Sequence, residues 1–228
     1  MHRLSALLVL LLLFSMSQLA FGDITLSPTG GGWYQDTGHA NGTDDNYFAG
    51  LESGHQFHNW FTFDLSGVTG PVTAATLTLL SNWYFGAGTY SVYASVVDVA
   101  TLGTADSVFT YVNLAAGPPI GSVTYSCPEA GGFCSDPPVI FNITLNDVGL
   151  AALNNAVGGV FVIGGGATYS AFDFEDDSGV FGATVLATHD FNILTLSTSP
   201  AAVPEPAPVL LLGTGLAALA EAIRRKMA

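Results

Sequence analysis

The side chains that could do chemistry here are four histidines, two acidic clusters, two cysteines and two aromatic pairs. His55 and His58 are three apart, while His39 stands sixteen residues before His55 and His189 lies far along the chain. On a helix they would share a face, but along a strand an odd spacing sends them to opposite faces. A metal centre would then need Asp44, Asp45 or Glu52 to fold back beside one of them. Thr43-Asp44-Asp45-Asn46 and Asp173-Phe174-Glu175-Asp176-Asp177 each concentrate oxygen ligands. Hard cations take about six to eight such ligands, so calcium at Asp44, Asp45, Asp173, Glu175, Asp176 and Asp177 is the one cofactor these patterns suggest. Neither cluster follows the spaced Asp-x-Asp-x-Asp-Gly loop, and the plainer reading is a solvated acidic surface. Trp33-Tyr34 and Trp83-Tyr84 sit beside glycine-rich stretches, where rings could stack on sugars; the same rings serve equally well as core. The chain has no Gly-x-Ser-x-Gly elbow, phosphate loop or catalytic-type cysteine, so no catalytic residue is expected.

Cys127 and Cys134 are the only cysteines, with Pro-Glu-Ala-Gly-Gly-Phe between them. Two thiols without nearby histidines fall short of a zinc site, and in an exported chain they should form a local disulfide. Export is indicated by the first 22 residues: a basic start, an apolar run over 4–14, and small Ala20 and Gly22 before a cut. Residues 23–199 then form one domain, long enough for a single large core. Its charge is one-sided. All four Lys and Arg residues (Arg3, Arg224, Arg225, Lys226) lie in the terminal segments, whereas 16 of the 18 acids fall between Asp23 and Asp190. A body near −16 is a poor partner for nucleic acid or anionic headgroups.

Side-chain alternation predicts strands at 56–65, 75–80, 90–97 and 139–145, with shorter ones at 47–51, 107–112, 122–125, 160–163, 180–186 and 190–196. In 56–65, Phe57, Phe61, Phe63 and Leu65 should face the core, and His58, Trp60, Thr62 and Asp64 the other side. One segment departs from this pattern: Asn146 is a candidate cap, Asp147 suits a first turn and Gly158 a stop, giving one short helix over 146–158. The expected fold is all-β, an antiparallel two-sheet sandwich of jelly-roll type.

Pro200, Pro204, Pro206 and Pro208 make an extended spacer. After it, residues 209–223 are apolar apart from Thr214 and Glu221, and Arg224-Arg225-Lys226 follow as a stop-transfer cluster. Fifteen helical residues rise roughly 22 Å, short of the ~30 Å hydrocarbon core, but the cations favour a transient transmembrane helix. Val203-Pro204-Glu205-Pro206, the glycine-containing apolar run and the terminal cations together resemble the PEP-CTERM sorting signal of Gram-negative bacteria. The resemblance implies an exosortase-type membrane enzyme that cuts near Pro204–Pro206 and passes the protein to the cell surface or extracellular matrix. Asn59-Trp60-Phe61-Thr62-Phe63-Asp64-Leu65 and Gly158-Gly159-Val160-Phe161-Val162-Ile163-Gly164-Gly165 likewise resemble ectodomains that precede such tails, and more distantly jelly-roll carbohydrate-binding modules. These motifs imply a fold without an activity. The expected protein is secreted and non-enzymatic; the alternative is a module that binds extracellular polysaccharide.

Overall fold

The computed structural model describes residues 22–41, 46–127, 133–134, 137–169, 178–183, 192–199 and 224–225. Phe21–Ser199 forms one compact unit; Met1–Ala20 with Pro200–Ala228 forms another, in which only Arg224 and Arg225 are described, both helical. The expected signal segment, Val203–Pro206, the apolar run 209–223 and Lys226 therefore lie outside the described residues. Among those described, no helix is long and apolar enough to cross a membrane.

The larger unit is built of strands β1 (Asp23–Leu26), β2 (Gly30–Gln35), β3 (Ala40–Asn41), β4 (Asn46–Glu52), β5 (His55–Asp64), β6 (Val72–Ser81), β7 (Trp83–Phe85), β8 (Ala87–Ala94), β9 (Gly121–Ser126), β10 (Phe133–Cys134), β11 (Val139–Thr144), β12 (Val160–Tyr169), β13 (Ser178–Ala183) and β14 (Ile193–Thr198). Two helices interrupt them: α1 (Val108–Leu114) and α2 (Asp147–Ala156). Every strand pairing is antiparallel. One sheet runs β1-β14-β6-β11; the other runs β10-β7-β13-β4-β5-β12-β8-β9, with β2 beside β5 and β3 beside β2. The fold is all-β, as the alternation predicts.

Period-two patterning explains which side chains meet. Leu77 and Leu79 of β6, Phe141 and Ile143 of β11, and Leu194 and Leu196 of β14 leave the smaller sheet on one side. They pack in one core with Phe61 and Phe63 of β5, Tyr90 and Val92 of β8, and Phe161 and Ile163 of β12. The outer side of the smaller sheet keeps polar residues; Thr25, Thr195, Thr76 and Thr144 lie in register across its four strands.

α2 stands where the capping signals place it. Asn146 Oδ1 accepts from the Gly149 N–H at 3.0 Å, Leu153 is fully buried, and Gly158 at φ +85° ends the segment.

Segment 107–112 corrects the sequence reading. It is the start of α1 rather than a strand, so the described residues hold two α-helices instead of one. Ser107 caps it by accepting from the Thr110 N–H at 3.1 Å, and the buried residues are Thr110, Tyr111 and Leu114. That is helical spacing, selected by what lies beneath the helix rather than by its β-branched composition. Gly164 and Gly166 of β12 provide the room: a Cβ on Gly164 would strike the Leu114 backbone, and one on Gly166 would crowd His58 and Ala115. β5 also departs from a simple inside–outside division. Its outward Trp60 joins Tyr34, Val97, Leu102, Tyr111, Leu114 and Val162 in a second buried cluster that α1 covers.

Candidate functional site

The aromatic pairs expected to stack on sugars have separate fates. Trp33 and Tyr34 are consecutive in β2 and so point to opposite sides. Tyr34 is fully buried in the cluster beneath α1; its hydroxyl donates to the Thr101 carbonyl at 3.3 Å and accepts from the Gly103 N–H at 2.9 Å. Burial withdraws Tyr34 from any stacking role, which corrects that expectation. Trp33 is half-buried, donates from Nε1 to Asn46 Oδ1 at 3.1 Å and meets Phe57 edge-on at 5.1 Å. Tyr84 packs against the main core, edge-on to Phe141. Trp83 stays open, at 51 % exposure.

Trp33 and Trp83 end one chain of rings. Phe57 lies 4.8 Å from Phe48, Phe48 lies 6.4 Å from Phe181 and stacks on Phe85, and Phe181 stacks on Trp83 at 5.3 Å with planes 20° apart. The chain crosses β2, β5, β4, β13 and β7. Gly179 makes it continuous, because a Cβ there would come within 2.7 Å of the Phe48 ring. Trp83 thus shows solvent a ring whose other face is backed by Phe181. Phe181 gave no sequence signal, since its place beside Trp83 depends on the β13–β7 pairing.

His39, His55 and His58 find carboxylate or carbonyl partners, and His189 lies outside the described residues. His55 Nδ1 donates to Asp36 Oδ1 at 2.9 Å, and His39 Nδ1 lies 3.3 Å from Asp106 Oδ1. Burial raises the Asp36 pKa, but the His55 hydrogen bond, the Gln56 and Thr37 N–H groups and the His55 charge together outweigh it and leave the carboxyl below its ordinary value. His58 donates from Nδ1 to the Tyr111 carbonyl at 2.8 Å and stacks flat on the Tyr111 ring at 4.1 Å. The Tyr111 hydroxyl donates to Gln56 Oε1 at 3.1 Å, and burial followed by the nearby Asp36 charge pushes it up to about 12. Among the described residues no three of His, Cys, Asp or Glu converge as metal ligands. Asp44, Asp45, Asp173, Glu175, Asp176 and Asp177, the residues suggested for calcium, lie outside the described residues.

His58 carries a pH prediction. Burial lowers its pKa, and the hydrogen bond to the Tyr111 carbonyl offsets only part of that. The folded state therefore favours neutral imidazole, and stability present above the unfolded value of about 6.5 is lost as pH falls below it. The melting temperature should drop as pH falls below about 6.5. His58→Phe, which keeps the stack and removes the proton site, should flatten that drop in calorimetry. The depressed Asp36 acts in a separate window, losing its contribution as pH falls below the ordinary carboxyl range.

Cys127 and Cys134 form a disulfide, with Cα atoms 5.7 Å apart. It closes the chain between β9 and β10, and Cys134 pairs with Tyr84 of β7. So short a ring stabilises by roughly 2–3 kcal/mol through the unfolded chain.

These features define a class: an antiparallel all-β domain with a local disulfide, one exposed tryptophan at the end of a chain of packed rings, and histidine–carboxylate pairs. No known family profile matches the chain, and no curated protein matches it. Among solved structures it is similar to the K1 cleaved adhesin domain of Lys-gingipain from Porphyromonas gingivalis W83. The likeness has 12 % identity, covers 79 % of this chain and 91 % of that one, and has a TM-score of 0.29, a level that assigns neither family nor function.

Proposed function

We propose that this chain is a secreted, non-enzymatic protein of the cell surface or extracellular matrix, a jelly-roll-like module sorted by a PEP-CTERM signal. Its three-part C-terminal tail carries this reading: Val203-Pro204-Glu205-Pro206, the apolar run 209–223 and Arg224-Arg225-Lys226. An exosortase-type enzyme would recognise the tail while the apolar run sits transiently in the membrane, then cut near Glu205. The Cys127–Cys134 disulfide supports the reading, since such bonds persist in oxidising compartments. So does a body without Lys or Arg, whose positive charge is confined to the segments that trimming would remove. Arg224→Ala with Arg225→Ala should leave uncleaved precursor in the membrane fraction, read by immunoblot. Processing identical to wild type would contradict it.

A second reading, binding of extracellular polysaccharide, is favoured by Trp83, whose open ring is backed by Phe181. The acidic body would favour neutral glycans over uronates. Retention on a neutral polysaccharide, lost in Trp83→Ala, is its test.

A further inference from the structure

α1 buries one side and leaves the other bare. Val108 is 51 %, Phe109 75 % and Val112 54 % exposed, at helical spacing on one face. Val96, at 88 %, belongs beside them: Ser95 Oγ donates to the Asn113 carbonyl at 3.2 Å and holds that segment against the last turn of α1. Val99 follows in the 3-10 turn Val99–Thr101. Five of the nine large apolar side chains exposed among the described residues thus fall within residues 96–112. Scattered exposed apolar residues need no explanation, but a contiguous group usually marks an interaction site.

Charge decides what can cover it. Asp98 caps the 3-10 turn and Asp106 precedes the Ser107 cap, so two exposed carboxylates border the apolar face. Asp106 Oδ1 is engaged by the Ala40 N–H at 2.9 Å and His39 at 3.3 Å, which fixes its position. No Lys or Arg stands anywhere between Asp23 and Ser199 to balance them. A second copy using the same face would bring like carboxylates together under two bodies near −16, and an anionic lipid surface would be repelled.

We propose that this face docks a basic amphipathic segment of another protein. Its apolar side chains lie on Phe109 and Val112, and its Lys or Arg residues meet Asp98 and Asp106. The mode is that of an amphipathic helix laid with its apolar side on an apolar face, with opposite charge selecting the partner. The proposal is independent of the sorting tail and of Trp83.

The test uses the full chain carrying Arg224→Gln, Arg225→Gln and Lys226→Gln, so that its own cations cannot compete. A labelled helical peptide of alternating Leu and Lys faces is titrated by fluorescence anisotropy, beside a Leu/Glu peptide of the same pattern and a Lys/Gln peptide. The Leu/Lys peptide should bind at least about tenfold more tightly than either control. Phe109→Ser, and Asp98→Asn with Asp106→Asn, should each weaken it by about tenfold. An unchanged melting temperature for Phe109→Ser shows that the variant folds. Equal binding of the Leu/Glu peptide, or undiminished affinity in Phe109→Ser, would overturn the proposal. So would a dimer, or binding to phosphatidylcholine vesicles, that Phe109→Ser abolishes; those results would assign the face to a second copy or to lipid.

Discussion

Gly164→Ala is expected to destabilise the domain by about 3 kcal/mol, and to lower its melting temperature by roughly 6–12 °C. A Cβ at this position would run into the Leu114 carbonyl and come within 2.9 Å of the Leu114 Cα. These are backbone atoms, so no rotamer change relieves the overlap and α1 itself must lift from β12. Lifting it exposes Leu114 and Tyr111 and opens the cluster around Trp60 and Tyr34. It also parts His58 from Tyr111, so the pH dependence assigned to His58 should weaken in the same variant. Gly159→Ala is the control, because its Cβ would meet only the Ala156 carbonyl at an ordinary 3.5 Å. Equal melting temperatures for the two variants would show that α1 is not held where described.

Asn154→Ala is expected to cost about 2–3 kcal/mol. Asn154 Oδ1 accepts from the Val72 N–H at 2.8 Å, while Nδ2 donates to the Val72 carbonyl and the Leu150 carbonyl, both at 2.9 Å. One side chain thus holds both backbone groups of the first residue of β6, as a neighbouring strand would. Val72 is buried, so water does not readily replace what alanine removes, and both groups lose their partner. Hydrogen exchange should localise the effect, with the Val72 amide losing protection before the middle of β6. Unchanged protection at Val72 would contradict the assignment whatever the global stability.

The legible parts of this fold were those whose period is set locally. β6 and β11 alternate because each has one dry face and one wet one, and Leu77, Leu79, Phe141 and Ile143 declare the dry face directly. α2 was legible because Asn146 and Gly158 mark its ends with their own chemistry. α1 was not, because Val108, Thr110 and Val112 alternate like a strand. Only the room left by Gly164 and Gly166, far along the chain, makes the helix the better packed choice. The same distance hid the polar partners: His58 is 53 residues from Tyr111, and His55 is 19 from Asp36. The expectation for Trp33-Tyr34 failed halfway for a geometric reason. Neighbours on a strand face opposite ways, so a pair of adjacent rings cannot form one platform. Trp83 kept its exposure because β7 lies near the end of its sheet, with only the two-residue β10 beyond it.

The two terminal segments carry the functional reading, and one measurement reaches both. Mass spectrometry of the protein recovered from producing cells, without reductant, gives its two ends and the state of its thiols together. The account predicts a chain that begins near Asp23, ends near Glu205 and carries Cys127 joined to Cys134. An intact 228-residue chain in the cytosol with both thiols free would contradict it.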